Sequence, residues 1–150
     1  IIPFGEIQKR IIAICPEDLR MILYRRAMFK VANLLAKKRK VRAFVVGDSV
    51  GQVASQTLAN LKVIWKEAEL PVLAPLIGFN KEETIELAKK LGTYEISIEP
   101  YEDCCRFMIA KHPETKAKLE EVLKVESAIK ETEWHKLAEK ALEQKEKLAF

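Results

Sequence analysis

Histidine and cysteine are scarce in this chain: two His and three Cys in 150 residues. His112 and His135 lie far apart, without the Cys or carboxylate spacing of a metal site, so structural roles are expected for both. Cys15 and the adjacent pair Cys104 and Cys105 make a poor disulfide framework, which points to reactive or buried thiols in a reducing compartment. No apolar run approaches the roughly 20 residues that span a bilayer. The first residues carry neither a basic n-region nor a cleavage site. Neither membrane insertion nor secretion is expected, and a cytoplasmic location is. The chain has no Gly-x-Gly-x-x-Gly, no P-loop pattern and no internal repeat.

What is present describes a globular domain. Hydrophobic residues make up 49% and charged residues 32% of the chain, too apolar for disorder. A chain of this length can bury about two-thirds of its unfolded surface. The net charge of +4 permits nucleic-acid binding without establishing it. The dense run Lys37-Lys38-Arg39-Lys40 reads first as a solvated helix end with cations well placed at its C-terminus.

The chain is organised around Val45 to Leu58. Ala43-Phe44-Val45-Val46 is a short β-branched and aromatic run, the pattern of a buried strand. A polar turn from Gly47 to Gly51 follows, and from Gln52 the spacing becomes helical, with Val53, Leu58 and Leu61 able to share a face. Strand, glycine turn and helix N-terminus is how α/β proteins present backbone N–H groups to an anionic ligand. Spacing alone fits an ordinary tight turn equally well.

Ile1 to Phe4 reads as the tail of a strand. Glu17 to Lys40 reads as a long helix, apolar nearly all round and therefore largely buried. Arg25 and Arg26 in its middle would be desolvated, and each then needs an anion, either an internal carboxylate or a phosphate. Downstream, Ala59 to Glu69 is helical, and Pro71 to Leu76, with two prolines, reads as an edge strand or extended loop. Asn80 and Glu83 form a capping box that opens a helix over Lys81 to Leu91, ended by Gly92. Tyr94 to Ile98 reads as a short strand, parallel to Ala43–Val46. The alternation predicts a parallel α/β sheet. Thr115 to Val125 and Ser127 to about Leu148 read as two charged helices, a C-terminal extension packed on the sheet or on a neighbouring subunit.

Pro100-Tyr101-Glu102-Asp103-Cys104-Cys105 follows that last strand, and in open α/β sheets ligands bind past strand ends. Cys104 there suits a nucleophile or sulfur carrier. Its acidic neighbours oppose thiolate formation, and local sequence alone slightly favours a buried, inert thiol. A hydrolase built on Cys104 and His112 finds no oxyanion-hole motif to support it.

The segment Gly47-Asp48-Ser49-x-Gly51-Gln52-Val53-Ala54-Ser55-Gln56-Thr57 resembles a signature of the tRNA 4-thiouridine synthetases, tRNA sulfurtransferases also linked to thiamine biosynthesis. Further blocks match that family in the same order: Ile2-Pro3-Phe4, Tyr24-Arg25-Arg26-x-Met28, Pro71 to Ile77, Gly92 to Ile98 and Pro100 to Cys105. The resemblance covers roughly residues 1 to 125. It implies a Rossmann-like parallel sheet of the adenine nucleotide alpha-hydrolase type with a helical C-terminal extension. Residues 1–110 would be the later part of an ATP-binding adenylation domain, and 111–150 its extension. In relatives an RNA-binding region and a pyrophosphate loop, Ser-Gly-Gly-x-Asp-Ser, come first; this chain does not contain that loop.

The implied reaction uses ATP to adenylate the C4 oxygen of a uridine in tRNA, releasing pyrophosphate. A persulfide sulfur then displaces AMP to give 4-thiouridine. By resemblance Arg25, Gly47 and Gln56 would contact ATP, with Mg as its counter-ion, and Cys104 would pass the sulfur. Cys105 is not general in the family, and an iron–sulfur cluster is not expected. The implied partners are tRNA and a cysteine desulfurase or other sulfur donor, and a homodimer is allowed. The competing reading is a non-catalytic adenine-nucleotide or RNA-binding module lacking the pyrophosphate loop.

Overall fold

The computed structural model describes residues 1–100 and 110–147. Two helices come first, α1 (Gly5–Ile14) and α2 (Arg20–Arg39), the second entered through a 3-10 turn at Glu17–Leu19. Then follow β1 (Phe44–Val45), α3 (Leu58–Trp65), β2 (Val72–Leu73), α4 (Lys81–Lys90) and the single turn α5 (Tyr94–Ser97). Beyond residue 110 lie α6 (Leu119–Glu126) and α7 (Glu131–Glu143).

Helix α2 is the centre of the molecule because it has no polar side to give to water. Ile22, Leu23, Ala27, Phe29, Val31 and Ala36 are all buried, and α1, α3, α6 and α7 surround them. Helix α1 contributes Ile7 and Ile11, one turn apart on a single face; α7 contributes Trp134, Ala138, Ala141 and Leu142. Each large aliphatic side chain sealed this way stabilises the fold by about 1.5–3 kcal/mol. The C-terminal helices thus share one core with α2, and cover it rather than the sheet.

The sheet of the described residues has two parallel strands, with Phe44 opposite Val72 and Val45 opposite Leu73. Phe44 N–H donates to the Pro71 carbonyl and Val46 N–H to that of Leu73, both at 2.9 Å. Phe44 meets Phe29 of α2 edge to face, ring centroids 5.6 Å apart. The alternate residues Val45 and Leu73 are 71% and 53% exposed. One face therefore closes on α2 and the other is open.

Three expectations are corrected. Tyr94–Ile98 is a helical turn rather than a strand parallel to β1, whose partner is Val72–Leu73. Its apolar–polar alternation has no core to face, since Ile96 and Ile98 are exposed. Local bonds settle the matter: Ser97 N–H and Ser97 Oγ–H both donate to the Thr93 carbonyl. Ile1–Phe4 is not a strand; the backbone of Ile1 bonds with Glu146, past α7, instead of a sheet. Third, α3 begins at Leu58 and not at Gln52, for reasons given with the loop below.

Buried charge fastens the helices to one another. Arg26 on α2 pairs with Glu67 and with Glu126 of α6 (2.8 Å), and donates to the Val63 carbonyl (2.8 Å). Lys30, one turn on, reaches Glu67 at 2.8 Å. Asn33 closes the set by donating to the Glu67 carbonyl and accepting from Glu69 N–H.

Candidate functional site

The segment that leaves β1 spends its backbone N–H groups on nearby carbonyls, most of them its own. Val50 N–H donates to Ile77, Gly51 N–H to Gln56, Gln52 N–H to Ser49 and Gln56 N–H to Val53. Gly51 sits at φ +80°, a conformation glycine adopts without strain. Ser49 Oγ donates to the Phe79 carbonyl. With these turns made, a helix can start only after them. Thr57 caps it, accepting from Asn60 N–H at 3.1 Å. The loop's N–H groups at 50–52 are thus occupied by carbonyls, and the glycine turn is not followed directly by a helix N-terminus open to an anion.

Asp48 is the hub. Only 4% exposed, it receives Arg25 Nη2 on both oxygens, at 2.5 and 2.6 Å. Gln56 Nε2 donates to Oδ1 at 3.3 Å and Trp65 Nε1 to Oδ2 at 3.1 Å. Arg25 Nη1 also reaches the Ser55 carbonyl at 3.4 Å. One carboxylate therefore ties α2, the loop and α3 together at the carboxyl end of β1. Such charge-assisted contacts are the strong class of hydrogen bond.

Arg25, Gly47 and Gln56, the three residues expected at a nucleotide, are brought to this one place. Two of them touch Asp48, and Gly47 precedes it in the chain. Gly47 is exposed, and a Cβ there would meet nothing within 4 Å among the described residues. Of the two anions open to Arg25 and Arg26, carboxylates are found for both. Cys104, with Cys105, lies outside the described residues. Sequence reasoning assigned no part to Asp48 or Trp65; the signal available was a buried arginine with an acid in the Gly47–Gly51 turn.

Two further ties hold the loop to the chain beyond residue 110. Asn60, fully buried, donates to the carbonyls of Ala54 (2.8 Å) and Glu114 (2.7 Å) and accepts from Ala117 N–H (3.0 Å). Thr57 Oγ donates to the Thr115 carbonyl at 2.7 Å. Cys15 is a different kind of thiol from a working one: burial pushes it up to about 12, and its Sγ donates to the Pro16 carbonyl. Among the described residues no group of three His, Cys, Asp or Glu gathers to hold a metal ion.

The family model for thiamine biosynthesis protein (ThiI) matches residues 1–130. This chain belongs to the ThiI family. Among curated relatives it is 49% identical over 150 residues to a probable tRNA sulfurtransferase of Acetivibrio thermocellus, covering all of this chain and 38% of that protein. It is 44% identical over 150 residues to the corresponding protein of Thermus thermophilus, 36% of whose length is covered. A crystal structure of a 4-thiouridine synthetase–RNA complex with bound ATP superposes with a TM-score of 0.89 at 38% identity, over 97% of this chain and 37% of that one. The ThiI-family chain thus spans under two-fifths of the length of these relatives. The superposition bears out the fold expected from the resemblance, a helix-rich α/β arrangement with a parallel sheet of the nucleotide alpha-hydrolase type.

Proposed function

We propose that this chain is the later part of the ATP-binding adenylation domain of a tRNA sulfurtransferase that makes 4-thiouridine, with residues 1–110 in that domain and 111–150 as its helical extension. The observation that carries this reading is the meeting of Arg25, Gly47 and Gln56 at the carboxyl end of β1, where open α/β sheets bind ligands. Support comes also from the ATP and RNA held by the 4-thiouridine synthetase of similar fold.

ATP fits the residues present. The open surface at Gly47 lets a ligand approach the backbone closely. Arginine has five N–H donors, so its contacts to Asp48 and Ser55 leave donors for a phosphate oxygen. Gln56 offers an amide to the base or ribose, and Mg would accompany the phosphates. The uridine C4 oxygen attacks the α-phosphorus and pyrophosphate leaves; the outer sulfur of a persulfide on Cys104, loaded by the donor, then displaces AMP from C4. A second thiol attacks Cys104 Sγ, breaking the S–S bond, freeing 4-thiouridine and leaving Cys104 in a disulfide with that thiol. tRNA and a sulfur donor such as a cysteine desulfurase are the partners. No described helix is long and apolar enough to cross a membrane. A cytoplasmic enzyme fits its tRNA substrate.

The test is the full-length protein with tRNA, ATP, cysteine, a cysteine desulfurase and dithiothreitol, assayed for pyrophosphate and 4-thiouridine. Pyrophosphate and 4-thiouridine should form together, and Cys104→Ser should lose the second while keeping the first. Nucleotide binding without pyrophosphate release would leave a binding module; full thiolation by Cys104→Ser would end the assignment of the thiol.

A further inference from the structure

Asp48 is saturated. A carboxylate has about four acceptor sites, and Arg25, Gln56 and Trp65 make four contacts to its two oxygens. Buried and so occupied, it is suited to holding its neighbours and not to binding a further ligand. Arg25 and Trp65 both present donors to it, so it accepts at each of these contacts. The amide of Gln56 must therefore turn its NH₂ toward Asp48 and its carbonyl oxygen away. Backbone bonds from Gln56 N–H to Val53 and from Gly51 N–H to the Gln56 carbonyl hold the residue in its turn. The Gln56 side-chain carbonyl takes no hydrogen bond from any described residue. It is an acceptor with a fixed direction.

We propose that Asp48 is a positioning residue that orients Gln56 to read position 6 of a purine, accepting from a 6-amino group and rejecting a 6-oxo group. The inference rests on the reading of Arg25, Gly47 and Gln56 as nucleotide contacts, and adds what chooses the base. Adenine presents an N–H donor at position 6, whereas hypoxanthine and guanine present a carbonyl oxygen. Set against the Gln56 carbonyl, that oxygen leaves two acceptors facing each other without a proton. Sites built for a hydrogen bond reject analogues that cannot make it. Asp48 imposes this choice because an amide free to rotate would accept either base.

The experiment is calorimetry on the full-length protein with ATP and with ITP, which differ in that 6-substituent and in the proton that hypoxanthine carries at N1. The unaltered protein should bind ATP about tenfold or more tightly than ITP, the effect of one unsatisfied polar contact. In Asp48→Asn the amide can turn, and the ratio should fall to within about threefold as ITP gains, about 0.65 kcal/mol. A thermal melt confirms that this variant folds. If it does not, Gln56→Leu keeps the Arg25–Asp48–Trp65 contacts, and should lose the preference likewise. Equal affinity for ATP and ITP in the unaltered protein would overturn the proposal while leaving the nucleotide site standing. So would a folded Asp48→Asn, or a Gln56→Leu, that keeps the preference. If Arg25→Ala and Gln56→Leu leave both affinities untouched, no nucleotide is held here and the underlying reading falls with it.

Discussion

Replacing Arg25 by Ala separates the two jobs this side chain is placed to do. Arg25 and Asp48 are 16% and 5% exposed at the side chain, so truncation strands a desolvated carboxylate. Removing one partner of a buried pair costs about 3–5 kcal/mol when nothing compensates. Here Gln56 at 3.3 Å and Trp65 at 3.1 Å still donate to Asp48, which brings the expected loss to about 2–3 kcal/mol. If Arg25 also meets a phosphate, nucleotide affinity falls by a further 1.5–3 kcal/mol, about 10- to 150-fold. Urea unfolding measures the first quantity, and calorimetry with ATP on the folded full-length protein the second. A stability loss under about 1 kcal/mol would refute the buried-pair argument. A destabilised protein with unchanged ATP affinity would show Arg25 to be structural alone. Arg25→Lys, which keeps the charge but not the planar fork, should recover part of each.

Arg26 makes the contrast. Arg26→Met leaves Glu126 and Glu67 without their guanidinium, so unfolding free energy should drop by about 3–5 kcal/mol while ATP affinity of the folded protein is unchanged; adding Glu126→Gln should restore part of the loss in a double-mutant cycle. Burial raises Cys15 from 9.0 to about 12 and also raises Tyr24. The native state then holds protons that the unfolded chain releases, so stability is intact below pH 9 and falls as pH climbs from 9 towards 12. Cys15→Ala should flatten the early part of that decline in urea titrations run at each pH. Asn80→Ala removes the capping box of α4, a helix with no buried residue of its own. About 1 kcal/mol should be lost locally, seen as faster amide exchange in α4 with little shift of the global unfolding midpoint.

Much of this architecture is legible in the residues because its causes act over a turn or two of chain. A helix apolar nearly all round must be covered, and α2 is. Asn80 and Glu83 bond reciprocally as their spacing demands. Phe44 and Val45 form a strand beside the proline-bounded Val72–Leu73 edge. The family, too, can be read from linear blocks of sequence, since its model matches residues 1–130.

What tertiary structure alone decided is who pairs with whom. Arg25 finds Asp48 across 23 residues, while Arg26 finds Glu67 across 41 and Glu126 across 100. A desolvated guanidinium demands an anion, but only the packed chain selects it from the 22 acidic residues in the sequence. The same holds for Tyr94–Ile98, whose alternation suits a strand until no core face is offered to it, and for α3, delayed to Leu58 by the turns that precede it. Periodicity and capping are properties of neighbours in sequence; burial and ion pairing are properties of neighbours in space, and those exist only once the core around α2 has closed.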